Sequence, residues 1–165
     1  NEYSDMYLQN CDFIENEADI GGAIAYSQWM APYPMQISNC RFERNVAYSS
    51  GGAIYIFSGE YVLDAVQCVD NQAKISGGCI HDANGFLDCN DANLVRCVLQ
   101  DTAFYGNKAR QAAAGYLTSC FLSMTGCRAE NNTAYIQGGA FVIDSTAMSS
   151  ESVFDGLNQY ELRDN

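Results

Sequence analysis

The chain has 165 residues, enough for one domain with a sizeable core, and its 20 acidic against 8 basic side chains give a formal net charge of -12. That balance excludes nucleic acid as an expected partner, because phosphate binding needs clustered Lys and Arg, and no apolar run approaches the roughly 18 residues of a membrane-spanning helix. Eight cysteines beside a single histidine, His81, with no Cys-x-x-Cys pair, point to disulfides rather than to a Cys/His metal site, and so to an oxidising, extracellular compartment. The chain opens at Asn1 without a signal peptide, and the expectation is a processed product or a segment of something longer.

Taken in chain order, the first unit is NCDFIENEADIGGAIAY, residues 10–26, and the second, NCRFERNVAYSSGGAIYI, residues 39–56, keeps its internal spacing. A motif that recurs this way is a structural repeat. Anchoring on the asparagine gives five copies, at Asn16, Asn45, Asn71, Asn107 and Asn132, with separations of 29, 26, 36 and 25 residues. Alanine follows two residues later in each: Ala18, Ala47, Ala73, Ala109 and Ala134.

Three further columns precede the asparagine and read as inward-facing. They are Leu8, Ile37, Leu63, Leu99 and Met124; Cys11, Cys40, Val66, Thr102 and Cys127; and Phe13, Phe42, Cys68, Phe104 and Ala129. Downstream come Gly21-Gly22, Gly51-Gly52, Gly77-Gly78, Ala113-Ala114 and Gly138-Gly139, then Ile24, Ile54, Ile80, Tyr116 and Phe141. The alternation of Ile54 and Ile56 around Tyr55 is that of a strand, and no unit sustains a helical period.

Each unit therefore reads as strand, asparagine turn, small-residue bend, strand and loop. Stacked at roughly 4.8 Å, such units form an all-β, right-handed parallel β-helix of about five to six turns. The expected turns run over residues 6–30, 31–59, 60–96, 97–121 and 122–145 of one domain, with 146–165 as a partial turn or cap. The asparagines are expected to point inward at a turn and form a stacked amide ladder, and the small residues sit where backbones crowd.

Cys11 and Cys40 occupy one column in adjacent turns, so they are expected to pair; Cys89 with Cys120 is a second candidate. Asn131 heads the sequon Asn131-Asn132-Thr133 and shares a column with Glu15, Arg44, Asp70 and Gly106 that reads as solvent-facing, which makes it a glycosylation candidate. The third unit holds HDANGFLDCND, where Asp82, Asp88 and Asp91 lie beside His81. A glycosidase or lyase would need such carboxylates, but nothing basic lies between Lys74 and Arg96 to hold a uronate, and the preferred reading is a solvated loop. Calcium is conceivable at that loop; otherwise no cofactor, no resident metal and no catalytic residue is expected.

The pairing of F-x-x-N with G-G-A-[ILV] resembles the repeat of the chlamydial polymorphic membrane proteins and related β-helix repeats. Here FIEN, residues 13–16, goes with GGAI, residues 21–24; FERN, residues 42–45, with GGAI, residues 51–54; and FYGN, residues 104–107, with a degenerate AAGY. The resemblance covers about residues 6–143 and implies an extracellular β-helical passenger used in adhesion. A solenoid also exposes unpaired strand edges at its ends, so continuation with further β-helical turns or end-to-end self-association is expected, with glycans as a further class of partner.

Overall fold

A computed structural model describes residues 6–27, 34–83, 96–118, 121–144, 153–154 and 160–163. The described chain is all β, wound as a parallel solenoid with four sheets running along its length. The first sheet stacks Tyr7–Gln9, Met35–Ser38, Tyr61–Asp64, Arg96–Gln100, Phe121–Thr125 and Val153–Phe154. The second stacks Asp12–Ile14, Arg41–Glu43, Gln67–Val69, Ala103–Tyr105 and Arg128–Glu130. In the third lie Glu17–Ala18, Val46–Ala47, Gln72–Ala73, Lys108–Gln111 and Thr133–Gln137, and in the fourth Ile24–Ser27, Ile54–Ser58, Ile80–Asp82, Gly115–Leu117, Phe141–Asp144 and Tyr160–Arg163. Counted as turn-on-turn intervals the solenoid is about four turns tall, slightly less than the five to six expected, because the five strands of each central sheet span four steps.

Each turn holds four short strands rather than the two read from the sequence. Three columns of left-handed backbone break the coil. The first is Asn10, Asn39, Ala65, Asp101 and Gly126, and the second Glu15, Arg44, Asp70, Gly106 and Asn131. The third is Gly21, Gly51, Gly77, Ala112 and Gly138. Only Gly, Asn and Asp enter this region readily, yet Glu15, Arg44, Ala65 and Ala112 hold φ between 52° and 56°. Stacking compensates: at the second corner the N–H of Glu15 donates to the Glu43 carbonyl at 2.9 Å, Arg44 to Val69 at 2.9 Å and Asp70 to Tyr105 at 2.8 Å.

The bore is filled by columns in strict register. Leu8 pairs with Ile37, Ile37 with Leu63, Leu63 with Leu99 and Leu99 with Met124, and the last four are buried. Phe13 stacks on Phe42 with ring centroids 4.8 Å apart, while Phe104 meets Phe141 edge-on at 5.0 Å. At the third corner backbones nearly touch: a Cβ on Gly52 would lie 1.9 Å from the Gly78 carbonyl oxygen, which is why the second glycine of the pair recurs.

The fourth turn corrects the register assumed for AAGY. Ile80 pairs with Gly115 and His81 with Tyr116, so Gly115 takes the inward position and Tyr116 points outward. Gly77–Gly78 align with Ala112–Ala113, through bonds from Gly77 N to Gln111 O and from Gly78 N to Ala112 O, both at 3.1 Å. One residue fewer after Asn107 causes the shift, and a one-residue slip flips every side chain to the other face. The Phe141 ring lies against Gly115, where a Cβ would be 3.1 Å from it.

Candidate functional site

The asparagines form a continuous ladder along the corner between the second and third sheets. Nδ2 of Asn16 donates to Oδ1 of Asn45 at 2.8 Å, Asn45 to Asn71 at 2.9 Å, Asn71 to Asn107 at 3.1 Å and Asn107 to Asn132 at 2.9 Å. Each accepting oxygen also takes the backbone N–H of the preceding asparagine at 3.0 Å. The second Nδ2 hydrogen of Asn45, Asn71, Asn107 and Asn132 goes to the carbonyl of Phe13, Phe42, Cys68 and Phe104 respectively. The three internal members are fully buried; Asn16 is exposed and Asn132 intermediate. The amides thus saturate the backbone at a corner where neither sheet can, which is a scaffolding task.

The cysteine pairing differs from expectation. Cys11 and Cys40 are free thiols, donating to the carbonyls of Gln9 at 3.3 Å and Ser38 at 3.2 Å, and the disulfide joins Cys68 to Cys79. In-register parallel neighbours carry parallel Cα–Cβ vectors, so their sulfurs stack side by side and do not converge as a disulfide requires. Cys68 and Cys79 face one another within the third turn, Cα atoms 6.0 Å apart. Cys68 stands where three of the other turns have Phe, and Cys79 where they have the Ala that follows the small-residue pair, so the bridge fills the space the ring leaves. Burial pushes the thiols of Cys40 and Cys127 up from their ordinary range. Cys89 and Cys120 lie outside the described residues.

Asp82 also departs from the loop reading. It is in register with Ile56, fully buried, and accepts a hydrogen bond from the Tyr61 hydroxyl across the bore at 3.2 Å. Burial, then the Asp82 charge and the Cys97 thiol bonded to the same hydroxyl, hold the Tyr61 phenol well above its usual range. The strand simply continues one residue further than the sequence suggests, and its alternation turns Asp82 inward. It therefore cannot join a solvent-facing carboxylate cluster with Asp88 and Asp91, which lie outside the described residues.

His81, between two inward residues, faces out. Its ring is stacked between Tyr55 at 5.0 Å and Tyr116 at 5.2 Å, and its Nδ1 is 2.8 Å from Ser76 Oγ, which in turn lies 3.0 Å from Ser50 Oγ. Burial lowers the imidazole to about 4, so it is neutral at physiological pH. The ring is locked by stacking on both faces, and the serines form a polar file beneath it. Asn131 is exposed with φ of 56°, on the outer side of the ladder corner as its column implies.

The outer face of the third sheet, not singled out by the repeat pattern, brings together Lys74, Lys108 and Arg110 although Lys74 stands 34 residues before Lys108. The signal was present as the outward positions either side of each column alanine.

Residues 39–56 match the Chlamydia polymorphic membrane protein repeat. No curated protein and no solved structure matches the chain. The matched span runs from the first corner of the second turn, through Phe42 and Asn45, to Ile56 on the fourth sheet. The chain is thus a parallel β-solenoid whose repeat is similar to that of the chlamydial polymorphic membrane proteins, a family of surface or outer-membrane proteins.

Proposed function

We propose that the chain is an extracellular structural and adhesive β-helical module without catalytic activity, whose first turn is covered by another β-helical turn from the same parent chain or from a neighbouring subunit. The observation carrying this reading is the state of that first turn. Phe13 gives one ring face to Phe42, and Leu8 one side to Ile37, but among the described residues neither meets anything on the other. Among the described residues, Oδ1 of Asn16, alone in the ladder, accepts no bond from a preceding turn. Each later asparagine uses this oxygen to take two N–H bonds from the turn before it, so a preceding turn of the same kind would extend the ladder in register. Bare apolar columns and unpaired strand edges are a recognised route to association. Glycan on Asn131, if the chain passes through a eukaryotic secretory pathway, would project from the side of the rod and leave both ends clear.

Light scattering of the isolated chain against concentration tests this. The chain should associate, and Phe13→Glu with Leu8→Glu should return it to monomer. A chain that is monomeric at every concentration overturns the reading.

A further inference from the structure

The third sheet's inner positions are the column alanines, so the residues on either side of each alanine face solvent. Ala18 pairs with Ala47, Ala47 with Ala73 and Ala109 with Ala134, while Gln72 pairs with Lys108 and Lys108 with Thr133. One outer file reads Glu17, Val46, Gln72, Lys108 and Thr133, and beside it run Asp19, Tyr48 and Lys74, then Arg110 at a register shift between Ala109 and Gln111, with Tyr135 and Ile136 both exposed on the strand beyond. Lys74, Lys108 and Arg110 are exposed, Tyr48 is 56% exposed and Tyr135 73%. In a chain of charge -12 these cations have carboxylates available, yet the ion pairs among the described residues join only Arg41 and Arg44 to Glu15 and Glu43. Three cations outside those ion pairs therefore sit between two exposed tyrosines on one narrow strip.

We propose that this strip binds a linear anionic glycan, a sulfated or uronate-containing polysaccharide lying along the solenoid axis. The file from Tyr48 to Tyr135 spans three strand spacings, about 14 Å. The tyrosine rings offer apolar faces to sugar C–H groups at its two ends. Between them Arg110 presents a planar fork to sulfate or carboxylate, and Lys74 and Lys108 add mobile point charges. A flat anionic membrane would bring the surrounding acidic surface within the screening length of about 8–10 Å and be repelled, whereas a chain one sugar wide keeps to the strip. The choice of glycan over single-stranded nucleic acid rests on the extracellular reading above; the cationic strip itself does not depend on how the solenoid ends are covered.

The test is titration of the chain with heparin and with polygalacturonate, in parallel with oligo-dT, phosphatidylserine vesicles and neutral dextran, at low and at physiological salt. Heparin or polygalacturonate should bind in preference to the other three and weaken with salt. The triple variant Lys74→Gln, Lys108→Gln, Arg110→Gln should lose about tenfold or more in affinity, and Tyr135→Ala several-fold with the salt dependence kept. Arg41→Gln with Arg44→Gln should bind as the wild type, and circular dichroism should show each variant folded. Wild-type affinity in the triple variant, an equal loss in the Arg41 and Arg44 variant, no binding of either glycan, or tighter binding of oligo-dT or vesicles would each overturn the proposal. None of these results bears on the association test, so the two readings fail separately.

Discussion

Asn71 donates twice to one atom: its Nδ2 at 3.1 Å and its backbone N at 3.0 Å both reach Oδ1 of Asn107. The same residue accepts the equivalent pair from Asn45, so a single side chain closes the backbone accounts of two turns. That reciprocity, repeated along the ladder, is what fixes the register of neighbouring turns.

Asn71→Leu should therefore strand the Asn45 N–H and one Asn45 Nδ2 hydrogen in a dry interior, and take one bond from the Phe42 carbonyl. A buried unsatisfied group costs about 1–3 kcal/mol, and two or more are created here. Asn16→Leu, at the exposed end, should cost clearly less. Urea denaturation of the two variants checks the contrast, and equal losses would mean that the ladder does not carry the corner.

The Cys68–Cys79 bridge closes a segment with a sequence separation of 11. Replacing both by alanine should cost about 2–3 kcal/mol by loop entropy, with added loss from the void opposite the missing ring. Peptide mapping under non-reducing conditions should link these two cysteines, and Cys11, half-buried, should react with maleimide faster than buried Cys40. A peptide linking Cys11 to Cys40 would contradict the placement.

His81 ties stability to pH. Its folded value of about 4 lies below the ordinary 6.5, so the unfolded chain takes up the proton first as pH falls. The contribution is complete above about 6.5 and is lost as pH falls towards 4, amounting to roughly 2–3 kcal/mol at the low end. His81→Phe retains a ring between Tyr55 and Tyr116 and should flatten this part of the profile. Thermal melts of both proteins across that window give the difference; parallel profiles would show that His81 titrates normally.

Gly52→Ala should be among the most disruptive small changes, because its Cβ would strike the Gly78 carbonyl oxygen at 1.9 Å. Gly139, with nothing within 4 Å of a Cβ, should accept alanine with little change. Thermal unfolding of the pair distinguishes a crowded corner from a merely conserved spacing of glycines, which would leave the two variants alike.

The columns were legible because a solenoid writes each inward position once per turn: Leu8, Ile37, Leu63, Leu99 and Met124 can be aligned by counting back from asparagine. The left-handed corners were not, since Glu15, Arg44 and Ala65 are held there by stacking and carry no local signature. Counting also failed where the turn length changed after Asn107, so Tyr116 was aligned with Ile80 when its register partner is His81. Asp82 broke the expected pattern because a charged residue at an inward strand position looks like loop until its partner, Tyr61, is known. The cysteine error was geometric: a shared column gives proximity without convergence. Lys74, Lys108 and Arg110 were hidden by average composition, since a chain of charge -12 can still concentrate cations on one face.

The central claim is that the end of the first turn, where no described residue covers Asn16 Oδ1, Phe13 or Leu8, is a joint between β-helical turns. Negative-stain imaging of the native material tests it most directly. The account predicts rods longer than the roughly 20–25 Å that these turns span at the strand spacing, extended along one axis. Compact single particles of the mass of residues 1–165 would contradict it.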